Sequence, residues 1–318
     1  MSAADVAVVI PTMRRPEALT VALRSVFAQQ DVSDRLKHVV VVDNDPKGTA
    51  RDTVDGLRSA SPVPLIYRHE PRPGVATARN AGLGETDAPL IAFLDDDEAA
   101  SPLWLARLIA SQAALGADVV FGPIRGRVPE GLGGKTAYLQ RFFGRDGPAA
   151  DQLLDHAYGC GNSLMVRSTA LPGEAPFDAS SNESGGEDDA LFSALSLRGG
   201  RFGWSAEAWV DEFAPPHRAT LKYALSRAFA YGQSPCQIAW KERRLPAVLF
   251  WMAVGAAQTV VWSLAALGLL IIRNPKSADA MDRAARGVGK VFWMQGLEPR
   301  FYGAHELARL DRVSPSAA

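Results

Sequence analysis

Two runs of acids hold the residues best suited to chemistry. Asp95-Asp96-Asp97-Glu98 places four consecutive carboxylates at the end of the apolar run Ile91-Ala92-Phe93-Leu94, and Glu187-Asp188-Asp189 follows the glycine pair Gly185-Gly186. Carboxylates packed this closely repel one another, and a cation relieves the repulsion best. A strand end with such a cluster suits a hard divalent ion that holds a phosphate-rich ligand. The second run opens a helix, where acids are ordinary partners of the helix dipole. The glycine pair before it lets the backbone approach a ligand closely, so that one of these carboxylates can act as a general base. The plainer alternative for the first run is a solvated acidic loop that feeds a helix over 102–115, with Ser101 as its cap and Pro102 in its first turn.

The elements that must position these acids follow from the hydrophobic pattern. Residues 6–10, 39–42, 65–68, 90–94 and 119–121 are short apolar or β-branched runs that predict buried strands. Helical periodicity occupies 16–29, 49–59, the stretch after Gly74 that carries Arg79 and Asn80, and 102–115. Strands alternating with helices at this spacing predict βαβ units and a mostly parallel sheet. Ligands of such sheets collect at the carboxyl ends of the strands. Three polar clusters fall there: Thr12 to Arg15, Asp43 to Asp45, and Asp95 to Glu98. Their coincidence on one rim favours a binding site over a solvated loop. The first strand ends Ile10-Pro11-Thr12-Met13-Arg14-Arg15, without a glycine-rich dinucleotide or P-loop fingerprint. Residues 129–156 lose periodicity and predict an irregular segment over the site. A strand over 163–166 follows Asn162, and a helix from 187 onward ends at Gly199-Gly200.

The chain has 318 residues, with 34 basic against 35 acidic side chains and a formal net charge of -1. That length holds one large domain with an appendage or two modest domains, and the balance gives no support for nucleic acid as a partner. Cys160 and Cys236 form no metal-spaced or disulfide-like pattern, which fits a reducing compartment. Met1 to Asp5 is short and polar and leads straight into a strand, so no secretory leader is expected and the catalytic part should stay on the cytoplasmic side.

Taken together, Val9-Ile10-Pro11-Thr12 with Arg15-Pro16, Val42-Asp43-Asn44, Gly74 through Asn80, Leu94-Asp95-Asp96-Asp97-Glu98 and Gly185-Gly186-Glu187-Asp188 resemble family 2 inverting glycosyltransferases of the GT-A fold, over roughly residues 6–212. Within that family the chain resembles bacterial exopolysaccharide glucosyltransferases of the succinoglycan type. Asn162 before a strand and the later Arg218, Arg227 and Gly232-Gln233 carry the narrower likeness. The resemblance implies a GT-A domain over 1–212 and a helical module over 213–318. It implies a UDP-sugar donor whose uracil meets Thr12 and Asp43, with Arg79 near base and ribose and Asp95 by the ribose and phosphates. Pro11, Arg15, Asn44, Asp96, Asn162, Gly185 and Gly186 complete the implied donor-binding set. Asp97 with Asp95 would hold Mg2+ or Mn2+. The third ligand would be Asp211 or His217, because the family often places a histidine after the strand near Trp209-Val210. Asp188 would be the catalytic base beside Glu187, with Asp189 the alternative if the alignment slips by one residue.

After Pro215-Pro216 the composition changes. Residues 219–232 predict an amphipathic helix, and 245–272 contains no charged residue. About 20 apolar residues suffice to span a bilayer. Lys241, Arg243 and Arg244 precede the run and Arg273, Lys276, Arg283, Arg286 and Lys290 follow it, so the positive-inside tendency keeps both ends cytoplasmic. Gln258-Thr259 and Gly268 interrupt the run, leaving a single span, a re-entrant hairpin and interfacial helices all open. A further amphipathic segment over 278–297 suits an anionic membrane surface. The implied activity is transfer of a hexose, glucose first, to a hydroxyl of a polyprenyl-diphosphate-linked oligosaccharide at the cytoplasmic face of the cell membrane. One alternative is a polyprenyl-phosphate monosaccharide transferase. A sugar nucleotidyltransferase and a non-catalytic nucleotide-sugar-binding subunit are more distant rivals.

Overall fold

The computed structural model describes residues 5–182, 185–299, 301, 307, 308 and 311; the polar opening of the chain lies mostly outside the described residues. Two compact units are present. One comprises residues 1–125, 145–213 and 301–318, and the other Gly126–Gly144 with Ala214–Arg300.

The first unit is built on an eight-stranded sheet. In chain order its elements are β1 (Val6–Thr12), α1 (Pro16–Phe27), β2 (Leu36–Asp43), α2 (Arg51–Leu57), β3 (Leu65–His69), α3 (Val75–Gly84), β4 (Leu90–Phe93), β5 (Glu98–Ala100), α4 (Trp104–Leu115) and β6 (Val119–Phe121). After β7 (Ile124–Arg127) and α5 (Thr136–Phe143) come β8 (Gln152–Leu154), β9 (Ser163–Val166), α6 (Arg167–Ala170), α7 (Glu187–Leu197), β10 (Phe202–Trp204) and β11 (Val210–Phe213). The large sheet runs β3-β2-β1-β4-β9-β6-β10-β8, and β5-β11-β7 form a second, small sheet.

Successive side chains of a strand face opposite sides, and both sides are covered here. Val6, Val8, Ile10, Val39 and Val41 join one buried cluster, with Leu19, Leu23 and Trp104. Ala7, Val9, Val40 and Val42 join the other, with Phe93, Phe121 and Trp204. The apolar runs are continuous for that reason. β1, β2, β3 and β4 pair in parallel. β9 enters antiparallel between β4 and β6, with Ser163 opposite both Phe93 and Phe121. Its reversed direction delivers the loop Gly159–Asn162 to the carboxyl ends of its neighbours, where the acids of β4 emerge.

Several sequence expectations need correction. The acids do not feed a helix directly, because Glu98–Ala100 is drawn into β5 against β11. Helix α4 begins at Trp104, and Ser101 is not its cap. Gln29, just past the end of α1, supplies the acceptor instead, its Oε1 taking the Leu105 N–H at 2.9 Å. The Ser101 N–H is held by the Trp209 carbonyl at 3.1 Å, which fixes the chain direction before the helix starts. Residues 129–156 contain helix α5 and strand β8. Both are too short for periodicity to show.

In the second unit, α8 (Leu221–Lys241), α9 (Leu245–Ile271) and α10 (Ser277–Val291) follow one another. Gly232 does not end α8, which continues through Pro235 to Lys241. A β-carbon on Gly232 would come within 2.2 Å of the Arg286 carbonyl, so the glycine serves close packing on α10 rather than termination. The uncharged run forms a single unbroken helix, α9.

Candidate functional site

The ends of β1, β2 and β4, the β9 loop and the start of α7 surround one group of charges in the first unit. Thr12 closes β1 and donates from Oγ1 to Asp96 Oδ2 at 2.8 Å. Arg15, just before α1, reaches Asp96 at 2.7 Å and Asp97 at 2.8 Å. Asp96 is thereby buried between two donors and Asp97 is partly covered, while Asp95 keeps 40% of its side chain exposed. Glu98 turns inward and accepts the Asp95 N–H at 2.9 Å. Burial pushes its carboxyl well above the usual carboxylate range, and Asp95 adds to the effect.

Gly161 is required by this arrangement. A β-carbon there would lie 2.7 Å from Asp95 Oδ2 and 3.2 Å from Glu98 Oε1. The loop is stapled by Arg145, a residue the sequence did not single out. Its guanidinium donates to the carbonyls of Gly122, Gly159, Gly161 and Asn162 at 2.8–2.9 Å. Arg145 lay in the segment read as irregular, and nothing local in the sequence marks it.

Helix α3 supplies Arg79. A β-carbon on Gly82, one turn later, would meet Val9 at 2.5 Å, so α3 seats tightly on β1 and carries Arg79 in with it. The buried guanidinium donates to Glu187 and lies 3.6 Å from Asp95. Burial works against its charge, but Cys160, Glu187 and Asp95 more than offset this and raise its pKa. Glu187 is buried as well, and burial raises its carboxyl despite Arg79.

Gly186, at φ +88°, occupies the left-handed region from which α7 starts, a conformation that costs glycine little. The turn brings Asp188 against the β9 loop, where its Oδ2 accepts the Cys160 N–H at 3.0 Å and its Oδ1 the Asp189 N–H at 2.9 Å. The Asp95 carboxyl feels both Asp97 and Asp188, so the two acid runs converge on it. Asp189 is exposed at the helix surface.

Not every expected donor contact is available. Asn162 is fully buried, its amide donating to Pro123 and Ala208 carbonyls at 2.8 and 3.0 Å and accepting the Trp104 indole N–H at 2.7 Å. It braces the loop in a left-handed backbone, φ +48°, and has no donor left for a sugar. Asn44 is spent similarly, on the carbonyls of Glu70 and Arg72 and the Gly74 N–H. Asp43 is buried and accepts from the Asp45 and Ala50 N–H groups and the Tyr67 hydroxyl, at 3.1, 2.7 and 2.9 Å. Both carboxylate oxygens therefore shape the loop between β2 and α2, and a base would have to share them. Pro11 lies within β1 opposite Val42. Gly185 and Gly186 both have positive φ beside Asp188.

Of the two expected third metal ligands, Asp211 lies on β11 beside Glu212. Asp211 pairs opposite Ala99, and Glu212 opposite Glu98. Alternation along β11 puts the two side chains on opposite faces. Glu212 thus shares a face of the small sheet with Glu98, and burial, then Asp97, Glu98 and Asp95, push its carboxyl well above the usual range. Counting by twos from buried Val210 would have found it. His217 belongs to the other unit. Among the described residues, no three His, Cys, Asp or Glu side chains are spaced to enclose a metal unaided. Asp95 and Asp97 supply hard oxygen donors of the kind that Mg2+ or Mn2+ would take.

Comparison with known proteins agrees with this architecture. Residues 7–170 match the profile of Glycosyl transferase family 2, which takes in the β1, α3 and β4 clusters and stops short of α7. The chain is 37% identical over 231 residues to succinoglycan biosynthesis protein ExoM of Rhizobium meliloti, covering 70% of this chain and 71% of that protein. It is 33% identical to ExoW of the same organism over 126 residues, 39% of each chain. Its fold resembles S. aureus TarS 1-349 solved with UDP, at 17% identity and a TM-score of 0.51 over 92% of both chains. This chain belongs to glycosyl transferase family 2 and is a glycosyltransferase of the GT-A fold, close to those of succinoglycan biosynthesis.

Proposed function

We propose that the enzyme transfers a hexose, glucose first among candidates, from a UDP-sugar to a hydroxyl of a polyprenyl-diphosphate-linked oligosaccharide, with inversion, during cell-surface polysaccharide assembly at the cytoplasmic face of the membrane. The observation that carries this reading is the convergence of the β4 acids and the α7 acids around Arg79. A relative in succinoglycan biosynthesis supports the pathway class, and TarS structures with UDP and with UDP-GlcNAc support the donor class. A 33% identity over 123 residues to validoxylamine A glucosyltransferase of Streptomyces hygroscopicus supports glucose, although the match spans only 27% of that protein.

In this reading Thr12 and Arg15 fix Asp96 and Asp97, so that the rim of β4 presents Asp95 and Asp97 toward the donor. Those two carboxylates would hold Mg2+ or Mn2+, which when bound neutralises charge on the departing diphosphate. Arg79 keeps Asp95 oriented from below and ties it to α7. Asp188, held by the Cys160 N–H, takes the proton of the acceptor hydroxyl as its oxygen attacks the anomeric carbon. The carbon–oxygen bond to the diphosphate breaks as the new glycosidic bond forms, and one displacement inverts the centre. Donor-dependent UDP release, screened across UDP-sugars with lipid extract as acceptor, tests the proposal. One preferred donor and a lipid-soluble product of inverted configuration are expected. Release from no donor, or a retained anomeric centre, would contradict it.

A further inference from the structure

The second unit contains a helix whose surface is inverted relative to a soluble protein's. Toward α10, helix α9 turns Gly255, Gln258 and Thr259. Gln258 donates to the Arg283 carbonyl at 2.8 Å and accepts from Lys290 Nζ at 3.0 Å, and a β-carbon on Gly255 would meet the Gly287 carbonyl at 2.7 Å. Away from the protein it turns Leu249, Phe250, Val260, Leu264, Leu267 and Ile271, each between 56% and 73% exposed. A water-facing helix shows the opposite distribution. Such a face fits hydrocarbon.

The companion helix decides how that hydrocarbon is met. With 27 residues, α9 is about 40 Å long at 1.5 Å per residue, enough to cross a core of about 30 Å. But α10 packs back along it and against α8, and α10 is not apolar. Arg283 stacks on Trp262 of α9 with its guanidinium 4.3 Å from the ring centroid, and Lys290 reaches Gln258 at the middle of α9. If α9 crossed the bilayer, Lys290 would lie near its midplane with Arg283 and Arg286 not far from it. Charges are costly there unless they face a polar cavity or a charged partner. Arg286 has Asp282 at 2.7 Å, but among the described residues the side chain of Lys290 meets the neutral Gln258 amide and that of Arg283 an indole face, neither of them a counter-charge.

We infer that α9 is an in-plane membrane helix: it lies in the headgroup boundary with its Leu, Val and Phe face in the acyl region, while α10 keeps its basic side chains at headgroup level. The partner is the surface of a lipid bilayer. Arg243 and Arg244 before α9, and Arg273 and Lys276 after it, place positive charge at both ends, and the basic side chains of α10 lie along it, where anionic headgroups can meet them. The inference deepens the membrane part of the proposed function, and its test uses no sugar donor, so the two fail separately.

The test is a depth measurement on the full chain in vesicles of phosphatidylcholine and phosphatidylglycerol. Leu249→Cys, Val260→Cys and Ile271→Cys each carry an environment-sensitive fluorophore, and both native cysteines are buried and leave the new labels unmixed. Quenching by lipids labelled at graded depths should place all three at one shallow level, about 5–10 Å into the boundary. A Val260 label near the bilayer centre, with the other two shallow, would overturn the inference in favour of a span. Labels that ignore the vesicles while the chain self-associates would overturn it in favour of a second copy covering the face.

Discussion

Arg79 and Glu187 stand 108 residues apart in the chain and meet as a buried ion pair that ties α3 to the first turn of α7. The same guanidinium lies 3.6 Å from Asp95. One cation thus fixes the spacing between the two acid groups, and the site has little freedom to open between them.

Removing that cation should be severe. Arg79→Ala leaves Glu187 buried without its counter-charge, and breaking a buried pair from one side costs about 3–5 kcal/mol. Chemical denaturation should show that loss. Adding Glu187→Gln to Arg79→Ala should return part of it, because the stranded charge is gone. Equal stability of Arg79→Ala and wild type would contradict the buried-pair account.

Gly161→Ala tests how closely the β9 loop approaches the β4 acids. The new methyl would sit 2.7 Å from Asp95 Oδ2, so Asp95 must move. Weakening of UDP binding by about tenfold, some 1.4 kcal/mol, is expected by titration calorimetry, with a melting temperature close to wild type. Unchanged affinity would mean that Asp95 does not meet the nucleotide.

Tyr67 provides a pH signature through its bond to Asp43. Its hydroxyl donates to Asp43 at 2.9 Å, and burial followed by that bond pushes its pKa up to about 12. The folded state therefore holds this proton more tightly than the unfolded chain does. Its stabilising contribution is complete below the unfolded value near 10 and disappears as pH rises through 12. Tyr67→Phe should cost about 1–2 kcal/mol at pH 8. The gap to wild type should narrow between pH 10 and 12 in urea unfolding. A gap that widens over that window would have the wrong sign.

The proposal that Asp95 and Asp97 hold a divalent ion predicts divalent-ion dependence. Chelation should stop donor-dependent UDP release, and Mn2+ should restore it. Asp97→Ala should be inactive with Mn2+ supplied while its circular dichroism matches wild type. Normal turnover of Asp97→Ala under chelation would remove the ion from the account.

Much of the fold was legible because the sheet is buried on both faces. Val6 to Ile10 and Val39 to Val42 cannot be mistaken for half-exposed strands, and the polar clusters at their ends marked the rim. What escaped detection depended on contacts distant in sequence. Gln29 caps α4 from just past the end of α1, and no local pattern at Ser101 reveals that. Arg145 staples a loop more than ten residues away, while its own backbone bridges Ile124 at the start of β7. For Asn162, only packing shows that its amide is engaged by Pro123, Ala208 and Trp104. Glu212 was within reach, because the period of two from Val210 already points it at Glu98.

The most direct measurement compares UDP binding with sugar transfer in Asp188→Asn. The amide oxygen can still accept the Cys160 N–H that now holds Asp188 at 3.0 Å, so the loop and the donor site should survive. Unchanged UDP affinity with transfer slowed by about 100- to 10,000-fold is the expected result for a lost general base. Wild-type transfer by Asp188→Asn, with Asp189→Asn silent instead, would contradict the assignment.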